Sequence, residues 1–321
     1  MKSFQDEPTA AWRDRVVVIV AITADHRSIR RSIRRFAAEV RGLGRLVLVD
    51  GSANGVGRID ADVDLIRSRP RGLVPELWSD GLHQTTEPLV AFSTASMVPT
   101  VGWLAAAIAK LKQSAAAGIF GPIEPGPTLS PLARAVYLLR YIRYHRPLST
   151  ANSFELPGEN ALYRRDALES LGTTFPHGFW ESEVNQQLLE NGQVLTTSES
   201  ALLRYEEGGR AREILRRRFL HARHYGSTRA AKMTVSERVA RTIAAPLIPF
   251  VLVLRIVTAL ASKGISIGPS LSGVLWLPPM LVAWVAGEMI GAWFGPPGFP
   301  IVNPARRPKS VLVESSFPRC P

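Results

Sequence analysis

Two carboxylates, Glu181 and Glu183, follow the aromatic pair Phe179-Trp180 and open a segment that runs through Leu188-Leu189 to Gly192. A carboxylate beside large apolar rings has its charged form disfavoured, so its pKa rises toward values suited to taking a proton. A helix N-terminus opposes that shift by favouring the anion. The chemistry these residues offer is general-base catalysis. The plainer alternative is that both acids only furnish a favourable first helical turn, because perturbed carboxylates are often structural. Gly192 predicts where that helix stops, since a glycine takes a positive φ at C′ without cost.

Elements that could position such a pair are legible upstream. Val16-Val17-Val18-Ile19-Val20-Ala21 is a continuous apolar, β-branched run, which predicts a strand buried on both faces. Asp25 is a candidate N-cap for a helix in which Ile29, Ile33, Phe36, Ala37 and Val40 recur at helical spacing, ended by Gly42 and Gly44. Leu46-Val47-Leu48-Val49 predicts a second buried strand, ending at Asp50-Gly51-Ser52. Residues 62–66 read as a third, weaker strand, 73–86 as a helix and Pro88-Leu89-Val90-Ala91-Phe92 as a fourth strand. Strand and helix in alternation imply a mostly parallel sheet with helices on both faces. Ligands bind such sheets at the carboxyl ends of the strands, where Asp50 and residues 93–96 fall. Asp50 before Gly51 is also the signature of a simple Asx turn. The first turn, Ile22-Thr23-Ala24-Asp25-His26-Arg27, has no glycine for a pyrophosphate to approach, which argues against NAD or FAD.

The 321-residue chain carries a formal charge of +12, so an anionic partner or surface is expected. Its single cysteine, Cys320, excludes an internal disulfide framework. Residues 1–7 lack the apolar core of a signal peptide. The basic residues cluster beside apolar segments and lack aromatic stacking platforms, which argues against nucleic acid.

In order and at their spacings, several motifs resemble the family 2 glycosyltransferases, inverting enzymes of the GT-A fold. They are the strand end from Leu46 to Asn54, then Leu77, Trp78 and Gly81, then Val98-Pro99 with Trp103-Leu104. Gly158-Glu159-Asn160-Ala161 with Arg164-Arg165, the acids at 181 and 183, and Leu188 to Gly192 complete the series. The resemblance covers residues from about 15 to 295. It implies an α/β, Rossmann-like GT-A domain that moves a hexosyl-type sugar from a nucleotide sugar to a hydroxyl acceptor, lipid-linked or part of a cell-envelope glycan. By the same resemblance Thr23, Asp50, Gly51, Ser52, Thr94 and Ser96 contact the donor, Glu159, Asn160 and Trp180 the acceptor or sugar, and Glu181 or Glu183 supplies the base. The alternative reading is a membrane protein that keeps the fold without the chemistry.

Two positions depart from the family. The metal-binding Asp-x-Asp, which would hold Mg2+ or Mn2+, is replaced by Thr94-Ala95-Ser96, whose hydroxyls lack the charge a hard cation needs. Tyr205 stands where a histidine is often found. No metal ligand set is therefore assigned. The basic segment Arg210 to Lys232 lies near the donor phosphates in the resembled family. Arg216, Arg217 or Arg218 could there stabilise a leaving diphosphate; a basic face held to anionic lipid is the competing reading. Residues 131–146 present the same choice: a membrane-surface helix with Leu132, Val136, Leu139 and Ile142 on one face, or an ordinary domain helix.

Residues 243–261 are apolar apart from Arg255, and 271–294 apart from Glu288. Each is long enough to cross a bilayer at ~20 residues per span, although prolines interrupt both. In a simple hairpin Arg255 would sit about 20 Å and Glu288 about 10 Å from the cytosolic end, so they would not meet. Two spans are expected over a re-entrant or interfacial pair, with the basic flanks and the catalytic domain facing the cytoplasm at the cell membrane. The organisation expected is a tail (1–14), a GT-A domain (15–208), a basic juxtamembrane helix (209–241), the apolar pair (242–295) and a flexible tail (296–321).

Overall fold

The computed structural model describes residues 15–23, 27–57, 59, 63–70, 72–148, 155–172, 174–206, 210–231, 233–265 and 271–295. Asp25, Asp62, Gly208, Gly209, Lys232 and both terminal tails, with Cys320, lie outside them. The first strand, β1 (Val16–Ile22), is buried at every position, as an apolar run between two helical layers requires. Helix α1 (Arg27–Val40) follows and buries Ile29, Ile33, Phe36 and Val40. Its exit runs through Gly42, at φ 77°. Then come β2 (Arg45–Asp50), β3 (Asp64–Arg67), α2 (Val74–His83) and β4 (Leu89–Thr94). The shorter elements are β5 (Met97–Pro99), α3 (Trp103–Lys112), β6 (Gly118–Phe120), β7 (Ile123–Pro125) and α4 (Pro131–Arg140). The domain continues through β8 (Ala161–Arg164), α5 (Arg165–Glu169), α6 (Glu181–Glu190), β9 (Leu195–Thr197) and β10 (Leu203–Tyr205).

The main sheet has the order β3-β2-β1-β4-β8-β6-β9. Its first four strands are parallel, while β8 is antiparallel to both β4 and β6. A small second sheet has the order β5-β10-β7, with β10 antiparallel to β5 and parallel to β7. One apolar cluster lies under α1 and α3 and extends to α4; the other lies under α2 and α6 and centres on Trp78, Phe92, Tyr163 and Phe179.

The C-terminal part is helical: α7 (Ala211–Ala231), α8 (Val235–Ala244), α9 (Ile248–Ser262), α10 (Leu271–Val274) and α11 (Leu277–Phe294). Thr234 caps α8 together with Glu237. α8 and α9 run on as one helical stretch, Val235–Ser262; with Ser272–Phe294 it is long and apolar enough to cross a membrane. α7 and α11 pack along each other. A side chain at Gly287 or Gly291 would strike the carbonyls of Phe219 or Arg223, and one at Gly226 the carbonyl of Glu288. Glu288 is buried and ion-paired with Arg241, with the Trp284 indole donating to it at 3.1 Å, so it needs no contact with Arg255.

Helix α4 packs the face expected for it on the domain core, with Leu132, Val136, Leu139 and Ile142 all in that cluster or against it. It ends at Arg140 and passes through a 3-10 turn, Ile142–Tyr144. Ala133, Val136 and Tyr137 turn inward, whereas Leu132 and Leu139 are only partly covered. Tyr137 adds a hydrogen bond to the Ile123 carbonyl at 3.3 Å, so the helix is a domain element.

Candidate active site

Strand register sets the first geometry. Ile22 of β1 lies beside Asp50 of β2, and Ala21 beside Thr94 of β4. Phe92 is level with Ala161 of β8, so Glu159 and Asn160 flank the same sheet edge. At about 4.8 Å per strand, Asp50 and Asn160 stand about 14 Å apart along that edge. The residues expected at the donor end and at the acceptor end thus share one rim.

At the donor end Asp50 is buried, and its carboxylate accepts from the backbone N–H of Ser52 at 2.9 Å and of Val56 at 2.7 Å. Arg67 pairs with it as well. The Asx turn read from Asp50-Gly51-Ser52 is therefore present, and it is reinforced by a cation. Gly51 is required because a Cβ there would lie 2.8 Å from a Leu77 methyl. Thr94 and Ser96 bond to each other through their hydroxyls at 2.8 Å. Thr23, at the end of β1, accepts from Arg217 of α7. Of the three arginines considered, Arg217 alone makes a described contact with this edge. Arg216 is exposed, and Arg218 turns away to stack its guanidinium over Trp284 at 4.7 Å. Burial, with Arg140 next, lowers the Arg218 pKa to about 9.

At the acceptor end the loop before α6 is pinned to α2. Phe179 N–H donates to the Pro75 carbonyl at 2.7 Å, and Ser79 donates to the Phe175 carbonyl at 2.9 Å. Gly178 takes φ 106°, and a Cβ there would lie 3.0 Å from the Glu76 nitrogen, so glycine is needed for the approach. Phe179 then buries its ring against Phe92 at 4.4 Å. The next residue, Trp180, stacks flat on His224 of α7 at 3.6 Å and donates to the His177 carbonyl. That anchoring delivers the two acids of α6 in different states.

Glu183 has a 42%-exposed side chain and lies 3.8 Å from His224 Nε2. Glu181 lies over Gly158, where a Cβ would be only 2.7 Å from its own Cβ and Cγ. Its pKa is raised to about 7, chiefly by burial and next by the neighbouring Glu159 charge; the N-terminal backbone and Arg140 oppose this without reversing it. Glu159 is buried and is itself held by Arg140 and by the Tyr141 hydroxyl at 3.1 Å. Tyr205 packs on Tyr141 at 4.9 Å. Arg140, Tyr141 and the clearance at Gly158 escaped the sequence reading.

Asn160 serves the fold. Its carbonyl accepts from the Trp103 indole, and its two amide protons go to the carbonyls of Pro122 and Ala201, each bond at 2.8 Å. The side chain is thus engaged within the fold at both its carbonyl and its amide. Among the described residues no group of three or more His, Cys, Asp or Glu side chains could hold a metal ion. Hydroxyls that satisfy each other and a carboxylate already taken by Arg67 do not fit a hard divalent cation.

No protein-family model matches the chain, and no curated protein matches it. Solved structures do. The mannosyltransferase PcManGT from Pyrobaculum calidifontis, in complex with GDP-Man and Mn2+, is 17% identical with a TM-score of 0.50, over 91% of each chain. GalNAc-T7 with UDP, GalNAc and Mn2+ is 13% identical with a TM-score of 0.48, over 70% of this chain and 53% of that one. The first likeness, together with the mixed sheet, shows that this chain has a GT-A glycosyltransferase fold.

Proposed function

We propose that this chain is a membrane-bound inverting glycosyltransferase of the family 2 type, taking a hexosyl group from a nucleotide sugar to a hydroxyl acceptor. The single observation that carries the reading is Glu181, a carboxylate with a pKa near 7 on the ligand-binding rim of a GT-A sheet. A carboxylate of that pKa is half ionised at neutral pH and strong enough to take a proton as the hydroxyl attacks. In this mechanism Glu181 removes the acceptor proton and the freed oxygen forms a bond to the anomeric carbon. The bond to the diphosphate breaks from the opposite face, and the nucleoside diphosphate leaves with the electron pair. Arg217, beside Thr23 at the end of β1, is placed to stabilise the charge that develops on the leaving group. Asp50, Gly51 and Ser52 shape the nucleotide end. Thr94 and Ser96 border the diphosphate. Glu159 lies beneath the reacting hydroxyl, and Trp180 walls the acceptor side. No step passes through Mg2+ or Mn2+, because the donor set does not suit one. The acceptor we favour is lipid-linked or part of a cell-envelope glycan, with the catalytic domain on the cytoplasmic face of the cell membrane.

The test is nucleotide release from a panel of nucleotide sugars with a membrane-lipid acceptor extract. Glu181→Gln is expected to lower turnover by about 10²–10⁴, the worth of a positioned base, with donor binding retained. Glu183→Gln is expected to remain within a few-fold of the parent. Full activity of Glu181→Gln would remove the assignment, and activity that depends on added Mn2+ would remove the metal-free step.

A further inference from the structure

The 28-residue stretch Val235–Ser262 shows two faces. On one, Ile256 and Leu260 join the domain core. On the other, Val239, Ile243, Leu247, Phe250, Leu254 and Val257 are exposed, Ile243 by 76% and Phe250 by 73%. From 239 to 257 these residues make five steps over 18 positions, which is the ~3.6-residue period of a single helical stripe.

Both ends of the stretch are tied down. At its C-terminal end Lys263 donates to the carbonyls of His145 and Pro147, the latter at 2.7 Å, just after α4. Gly273 beyond it packs against α4 so closely that a Cβ would lie 2.9 Å from the Ala135 nitrogen. At its other end Arg238 donates to the Ala230 carbonyl of α7 at 2.7 Å, and Arg241 pairs with Glu288. α7 itself rests on the α/β domain through Arg217 and through His224 on Trp180.

A span must place its ends on opposite sides of ~30 Å of hydrocarbon. Here Lys263 and Gly273 touch the same domain that would have to lie across the bilayer from them. The other end lies beside α7, so crossing would carry Arg223 and Arg229 into lipid, where an unpaired arginine is strongly disfavoured. We propose that Val235–Ser262 lies in the plane of an anionic bilayer, with the stripe from Val239 to Val257 inserted and the chain entirely on one side. Arg255, exposed beside Leu254, borders the stripe, and the net charge of +12 suits anionic headgroups. This surface is independent of sugar transfer and would stand if that reading failed.

Inside-out membrane vesicles from cells expressing the full chain in a Cys320→Ser background provide the test. Ser236→Cys and Ser262→Cys are each expected to react with a membrane-impermeant maleimide before detergent is added. Purified Phe250→Glu/Leu254→Glu is expected to float with 7:3 phosphatidylcholine:phosphatidylglycerol vesicles at least about tenfold less than the parent, with unchanged thermal unfolding. Protection of either cysteine until detergent is added would overturn the proposal in favour of a span. Vesicle binding by the double variant equal to the parent would overturn it too, as would a parent chain that pairs with itself through the stripe and ignores lipid.

Discussion

Asp50 and Glu181 are two carboxylates on one sheet rim, and they have opposite surroundings. Asp50 accepts two backbone N–H bonds and the Arg67 guanidinium, so its charge is fully met inside the fold. Glu181 is set down over Gly158 beside another acid, and its charge is resisted. One carboxylate holds the fold together and the other is held by the fold at a cost. A rim that uses one acid to build and leaves another poised is the arrangement expected where local strain serves chemistry.

The largest test of that contrast is Asp50→Ala. It leaves two buried N–H groups and a guanidinium without their acceptor, and denaturant unfolding is expected to show a loss of about 3 kcal/mol. Gly158→Ala comes next. The added methyl displaces Glu181 by the order of an ångström, and steady-state turnover is expected to fall by about 10² with little change in donor affinity. Glu181→Gln should move stability the other way. A carboxylate whose folded pKa is raised from 4.5 to about 7 contributes most below its unfolded pKa, and that contribution is lost as pH rises through 7. The variant is therefore expected to be more stable than the parent at pH 8, by up to about 3 kcal/mol, and equal to it at pH 4 by thermal unfolding. The smallest effect belongs to Thr94→Val/Ser96→Ala. Removing both members of a satisfied hydroxyl pair should change stability by under about 1 kcal/mol.

How much of this could be read from the chain follows from where each cause resides. β1, β2 and β4 announce themselves because a strand covered on both faces must be apolar throughout, and the turn at Asp50 because Asx chemistry is local. The helix opened by Glu181 and closed by Gly192, at φ 76°, was legible for the same reason. β8 was not, because Ala161-Leu162-Tyr163-Arg164 is short and its antiparallel slot between β4 and β6 is a matter of topology. The clearance at Gly158 joins positions 23 apart in sequence, and the Arg140–Glu159 pair joins positions 19 apart; neither leaves a periodic trace. The apolar content of 243–261 reads alike for a crossing helix and for one lying flat. The proposal of a flat helix rests on the tethering of Lys263 and Gly273 to the domain, which joins positions far apart in sequence.

The most direct measurement is a pH titration of the Glu181 carboxyl by ¹³C NMR on glutamate-labelled protein, with the resonance assigned by its absence in Glu181→Gln. The account expects a midpoint near 7, lower when Glu159→Gln removes the neighbouring charge but still above 4.5 because the burial remains. A midpoint at 4.5 in the parent protein would contradict it.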